Sequence, residues 1–283
     1  MEIGYRPTAE ADFGAEHRIF CRAESAVLQA RGFPWSDPPL EAMTPWFRHL
    51  LAHDGDRCWV AEVGGEVAGF TAAFQRGGTW FFSMLFIDPE AQGHGIGRAL
   101  YARAVRGAPE RRLTITDSIQ PISNAVYGRE GLLPITPLLP MSGVGGGSRP
   151  TDLEAGVPSA ADVAEIDLLA YGFDRSIDHE LWEGGSPRRG WYRRGRLVAY
   201  TYRSRGGYIG PLAAVDPEAA AMALSAELAE EGPISIEIPA TARPLLATGL
   251  AAGLRIVPPL GLLLASNEVP LPTALAIRDY GAY

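Results

Sequence analysis

The run Gln92-Gly93-His94-Gly95-Ile96-Gly97-Arg98 carries the most specific chemistry in this chain. Glycines stand at alternate positions there, between an apolar stretch (80–87) that stops at Asp88-Pro89 and a helix-forming stretch (98–105). Glycine lets successive backbone N–H groups converge with no Cβ in the way. Where such a loop opens a helix, those groups and the positive end of the helix dipole make an anion site, most often for a phosphate. The expectation is a phosphorylated cofactor. Spacing excludes two common owners of glycine loops. The dinucleotide pattern G-x-G-x-x-G fails because Arg98 stands three residues beyond Gly95, and the P-loop fails because the chain has no Lys.

The elements that must hold this loop follow from apolar periodicity and turn residues. A strand is expected over residues 3–6 and a helix over 9–30 with Thr8 as its N-cap. A second helix covers 40–52. Residues 58–63 and 66–75 form a hairpin across Gly64-Gly65, and 80–87 is the strand that delivers the chain to the loop. Beyond the 98–105 helix come a strand (112–116), a short helix (123–130) and a strand (135–141). A mixed sheet with helices on both faces follows from that order. Residues 142–151, rich in Gly and Ser, read as a flexible linker.

The second half echoes the first. Residues 66–71, then Arg76-Gly77-Gly78, then Asp88-Pro89-Glu90 recur in order as residues 196–201, Arg205-Gly206-Gly207 and Asp216-Pro217-Glu218. Gly131-Leu132 recurs as Gly253-Leu254. The glycine loop does not recur: a helix over 219–228 follows Glu218 at once, and the physical reason for a phosphate site goes with the loop. Residues 267–283, with Pro270 and Pro272, read as a tail that packs on a neighbour.

Composition narrows the partners. The chain has 283 residues, 47% hydrophobic and 20% charged, with a net charge of −8. That is enough for one large or two medium domains with a sizeable core. The acidic balance argues against nucleic acid, which wants a basic face. No apolar run reaches the ~20 residues of a membrane helix, and the N-terminus has no signal-peptide pattern. A cytoplasmic protein is expected. The two cysteines, Cys21 and Cys58, make no disulfide framework and read as buried small hydrophobes. No CxxC or HExxH spacing occurs, so no metal is expected.

With these residues in hand, the chain resembles the GNAT superfamily of acyl-CoA-dependent N-acyltransferases. Gln92, Gly95 and Gly97 satisfy its Q/R-x-x-G-x-G/A signature after Leu85-Phe86-Ile87-Asp88-Pro89. Ser123-Asn124-Ala125-Val126-Tyr127, with Gly131-Leu132 behind it, is similar to a second family motif, S-N-A-x-Y-x-x-x-G-F. The resemblance covers most of residues 1–141, with a degenerate copy over 152–265.

It implies an α/β fold of tandem domains, each a mixed, mostly antiparallel sheet flanked by helices: 1–145 binding the cofactor, and 152–283 a degenerate copy with a C-terminal tail. It implies acetyl-CoA as co-substrate, with no metal. Main-chain groups of Leu85, Phe86 and Ile87 would hold the pantetheine arm and polarise the thioester. The amides from Gly93 through His94, Gly95, Ile96 and Gly97 to Arg98 would hold the diphosphate, with Gln92 ordering the loop. Ser123 belongs to the second motif. Gln120 stands where many members keep an Asn on the pantetheine, a departure that lengthens the arm. Tyr127 would protonate the departing thiolate, since a phenol and a thiol have comparable basicity.

An ammonium acceptor must lose a proton before it attacks, and Phe81, Phe82, Ser83 and Met84 offer no carboxylate for that. Asp37, Glu41 and Asp117 are the candidates, with a water relay beside them. Phe33, Trp35, Trp46 and Phe47 form either core or an aromatic acceptor wall. The activity implied is acetyl transfer to an amine, small-molecule or peptide, by direct attack in a ternary complex, in a monomer or homodimer. An acyl-CoA-binding pseudoenzyme with a regulatory or assembly role is the alternative.

Overall fold

The computed structural model describes residues 2–147, 152–267 and 269–283. Two compact units account for the chain: Met1–Thr114 with Ile119–Leu132, and Ile115–Ser118 with Leu133–Tyr283.

Unit 1 runs β1 (Ile3–Pro7), α1 (Phe13–Gln29), α2 (Leu40–Asp54), β2 (Trp59–Val63), β3 (Glu66–Arg76), β4 (Thr79–Ile87), α3 (Ile96–Ala104), the first part of β5 (Arg111–Asp117) and α4 (Pro121–Arg129). Its sheet order is β1-β2-β3-β4-β5. The first three pairs are antiparallel and β4 with β5 is parallel. β4 is nearly all apolar because helices cover both its faces. On one face α3 seats Ile96 and Leu100 against Ala61, Ala68 and the half-buried Leu85 and Ile87.

The first helix starts later than expected, and Thr8 is not its cap. The Thr8 hydroxyl donates to Glu16 Oε1 at 3.1 Å. Asp12 does the local work instead: it accepts from the Ala9 amide at 2.8 Å and from both Nη atoms of Arg6 at 2.6 and 2.8 Å. Residues Glu10–Asp12 therefore close a 3-10 turn, and α1 begins at Phe13.

Unit 2 holds β6 (Leu133–Gly145), β7 (Glu154–Gly156), α5 (Ala160–Ala170), α6 (Ser176–Glu183), β8 (Arg188–Arg193), β9 (Arg196–Arg203), β10 (Tyr208–Ala214), α7 (Pro217–Leu228), β11 (Gly232–Pro239), α8 (Arg243–Ala251), β12 (Arg255–Ile256), β13 (Gly261–Ala265) and β14 (Leu275–Ala276). Its main sheet is ordered β13-β6-β11-β10-β9-β8-β7. The succession β8-β9-β10-α7-β11-α8 repeats β2-β3-β4-α3-β5-α4, down to the parallel pairing of β10 with β11. Its core is smaller in side-chain size: α7 buries Ala219, Ala220, Ala223 and Leu224 against Ile209, Leu212 and Ile236.

The glycine-rich run after Met141 is strand at its start. Ser142 to Gly145 pair with β11 out to Gly145↔Gly232. Glycine is there for room: a Cβ on Gly145 would stand 2.2 Å from Glu230 O. The strand Leu133–Gly145 goes with unit 2, and residues 148–151 of the expected linker lie outside the described residues. No helix among the described residues is long and apolar enough to cross a membrane.

Candidate active site

Two features of unit 1 meet at the end of β4. The first is a fork. β4 and β5 pair from Thr79↔Arg111 to Phe82↔Thr114, and the register goes no further, although β4 continues to Ile87. The Thr114 hydroxyl donates to Phe82 O at 2.8 Å and fastens the last rung. Opposite β3 the register shifts between Ala72↔Met84 and Ala73↔Phe82, which makes Ser83 the extra residue of a β-bulge. Beyond it Leu85, Phe86 and Ile87 keep their β3 partners Thr71, Phe70 and Gly69. Their edge toward β5 is therefore that of an edge strand, where the main-chain groups of Leu85 and Ile87 face away from β3 and Ile87 O accepts from Gln92 Nε2. All three are half-buried.

The second feature is the glycine loop. Asp88 accepts from Glu90 N at 3.0 Å and caps a 3-10 turn at Pro89–Ala91. Arg22 of α1 grips that turn through Asp88 at 2.9 Å and Glu90 at 2.8 Å. Gly93 and Gly95 then take φ values of +84° and +79°, a region that favours glycine. Gly95 is the N-cap of α3, and no side chain caps it. The first amides of α3 are orphan donors at the positive end of the helix. Gln92, Gly93, His94, Gly95 and Arg98 are exposed. Ile96 is the anchor, 1% exposed under the sheet. Gln92 Nε2 donates to Ile87 O at 3.3 Å, tying the loop to the strand before it, and His94 Nδ1 lies 3.3 Å from Ala91 O. The cluster fits a diphosphate: open N–H groups, no Cβ at three positions, and no carboxylate capping the helix.

The second motif forms α4. Gln120 is its N-cap residue, half-buried, with its carbonyl accepting from Asn124 N at 3.0 Å. Ser123 sits in the first turn, half-buried. Tyr127 is 5% exposed, its ring set edge-on to Phe82 with centroids 5.7 Å apart. The structure thus brings Tyr127 to the residue where the fork opens. Burial raises its pKa well above that of a free phenol, so its proton stays on at neutral pH and it is a weaker acid than the free phenol whose basicity would match a thiolate.

The expected bases separate. Asp37 is exposed and accepts from Trp35 Nε1 at 2.6 Å; Glu41 is exposed on α2. Asp117, the last residue of β5, is raised by burial to about 6. The aromatics form a ladder rather than a cluster. Trp35 meets Phe20, Phe20 meets Phe86 at 4.9 Å, and Phe86 stacks on Phe70, which touches the buried Phe47. Trp46 lies apart, stacked on His49 and donating from Nε1 to the hydroxyl of the bulge residue Ser83 at 3.3 Å.

Sequence reading missed Glu16, which is 4% exposed in α1. It lines a small cavity with Thr8, Phe13, Phe47, Thr71 and Met84. Burial raises its pKa to about 7, against the opposing effect of the Thr8 hydroxyl. The available signal was its place three residues after Phe13, on the helix stripe that faces the core. Cys21 and Cys58 are buried and free.

The profile of the Acetyltransferase (GNAT) family matches residues 18–131. An uncharacterized N-acetyltransferase of Archaeoglobus fulgidus is 35% identical over 79 residues, 25% of this chain and 54% of that protein. The chain thus spans about half the length of this curated relative. Among solved structures, a putative acetyltransferase from Pyrococcus horikoshii aligns with a TM-score of 0.79 at 19% identity, covering 99% of this chain and 96% of that one. A GCN5-related N-acetyltransferase from Sphaerobacter thermophilus aligns at 0.62 and 14%, covering 93% and 95%. A tandem GNAT protein from the clavulanic acid biosynthesis pathway aligns at 0.60 and 16%, covering 95% and 100%. At these identities the structural matches establish the fold alone.

Proposed function

Residues 18–131 make this chain a member of the GNAT superfamily, and from that premise we propose that its first unit transfers an acetyl group from acetyl-CoA to an amine. The observation that carries the reading is the pairing of an uncapped helix start at Gly95 with a forked strand edge at Leu85–Ile87. One binds a diphosphate, and the other extends a strand edge along an amide-bearing arm.

Acetyl-CoA supplies the thioester. Amides from Gly93 to Arg98 hold its diphosphate, and Gln92 keeps the loop against Ile87. Main-chain groups of Leu85, Phe86 and Ile87 align the pantetheine, with Gln120 and Ser123 at the start of α4 flanking it. Tyr127 keeps its proton until a thiolate develops, then donates from Oη. An ammonium acceptor gives up its proton, to a carboxylate or through a water relay, before it attacks. The acceptor attacks directly, with both substrates bound. The second unit is a degenerate copy of the first, whose helix start and fork are both closed to this cofactor.

The test is purified protein with acetyl-CoA and a panel of small amines and peptide N-termini, with free thiol detected. Thiol release that depends on one acceptor class is expected. Tight acetyl-CoA binding without release across the panel would make this unit the acyl-CoA-binding pseudoenzyme instead.

A further inference from the structure

The fork of unit 2 is filled by the chain itself. β10 pairs with β11 only at Tyr208↔Ser235 and Ile209↔Ile236, and then leaves it. Into the gap runs β14, antiparallel to β10 through Leu212↔Ala276 and Ala213↔Leu275. The segment touches both walls. Ala214 N donates to Ala274 O at 3.0 Å on the β10 side, and Ile277 N donates to Glu237 O of β11 at 3.2 Å. Leu275, Ala276 and Ile277 are 0% exposed.

Side chains of unit 2 grip the segment's main chain along its length. Thr241 Oγ1 donates to Pro272 O at 2.7 Å, Tyr171 OH to Ala276 O at 3.4 Å and Tyr208 OH to Ile277 O at 3.2 Å. In return Arg278 Nη1 donates to Gly210 O at 2.9 Å, and the Tyr283 ring stands edge-on to Tyr171 at 5.2 Å. Pro270 and Leu271, which lead into it, are exposed. Main-chain pairing plus pockets for alternate side chains is how proteins recognise an extended peptide by strand addition.

We propose that the β10/β11 fork is a peptide receptor and that residues 272–283 are its resident ligand, held by recognition rather than by connectivity. The ligand class is an extended segment with apolar residues at the positions of Leu275 and Ile277 and a cation at that of Arg278. The inference does not rest on acetyl transfer, and its readout is peptide binding.

The experiment uses the full chain with a site-specific protease sequence inserted between Pro270 and Leu271. After cleavage the released segment is expected to co-elute with the protein in gel filtration. A fluorescein-labelled synthetic peptide of residues 271–283 is expected to exchange into the fork, and the same peptide carrying Leu275→Asp and Ile277→Asp to bind at least 100-fold more weakly. Loss of the fragment, with no preference between the two peptides, would overturn the proposal. Should cleavage unfold unit 2, recovery of its melting transition on adding the first peptide supports the proposal, and failure to recover it overturns it.

Discussion

Both halves carry the three residues Asp-Pro-Glu shortly before or at a helix start, and differ in what the aspartate caps. In unit 1 Asp88 caps a short turn, the glycine loop follows, and α3 starts at Ile96 behind Gly95 with no side chain capping it. In unit 2 Asp216 is itself the N-cap of α7, and its Oδ1 accepts from Ala219 N at 2.7 Å. A carboxylate thus caps the helix start in unit 2 where the first unit has no side-chain cap. The forks differ in the same sense: one edge of β4 stands open beyond Phe82, while β10 has β14 against it. Unit 2 has no glycine loop before α7, and β14 lies along the edge of β10. The uncapped helix start and the forked strand edge of unit 1 are separate constructions, and each has its own counterpart in unit 2.

The comparison can be broken most directly at Gly95. Gly95→Asp puts a negative charge at an uncapped helix start, in a φ region that suits glycine. Acetyl-CoA affinity should fall by about 100-fold or more, the cost of a like charge where the dipole and amides favoured an anion. Calorimetric titration reads it, and unchanged affinity would remove unit 1 from the comparison.

Leu275→Ala tests the closed fork. The side chain is wholly buried, so urea unfolding should record a loss of about 3 kcal/mol. Tyr127→Phe sharpens the open one. It keeps the ring on Phe82 and removes the proton, and kcat should drop about 100-fold with KM for acetyl-CoA nearly unchanged.

Glu16 has an effect of definite sign. Its folded pKa, about 7, lies above the ordinary 4.5. The native state therefore holds the extra proton between those values. The contribution to stability is full below about 4.5, declines as pH rises to about 7 and is flat beyond. Glu16→Gln cannot ionise. It should flatten that slope and be more stable than the parent at pH 8 by up to about 3 kcal/mol, read from denaturant midpoints at pH 5 and 8. Smallest is Asp216→Ala, which removes the cap of α7 at a cost of about 1 kcal/mol.

What could be read beforehand was local. Alternating glycines after an apolar strand announce the loop at Gln92–Arg98, because its conformation is set by the residues within it. The β2–β3 hairpin and the strand before the loop were legible for the same reason. The fork depends on where β5 stops following β4, and Ser83 bulges only relative to a partner strand, so neither leaves a mark in its own sequence. The glycines after Met141 were ambiguous in kind. Glycine serves both slack chain and tight approach, and at Gly145 only the neighbouring Glu230 carbonyl decides between them. The tail was unreadable past its prolines, since the groups that hold it come from the end of α5, β10, β11 and the turn before α8. The Asp-Pro-Glu echo was visible. Its change of duty, from capping a turn to capping a helix, required seeing which amide the aspartate meets.

The allegiance of Leu133–Gly145 has a practical side. Anyone cutting this gene at the glycine run to express the front half would keep a 13-residue β-strand and discard β11, its mate along eight rungs. Leu138, Leu139 and Met141, now interior, would come out into water as a sticky ribbon. Such a fragment should precipitate, whereas one trimmed after Leu132 would not carry that ribbon.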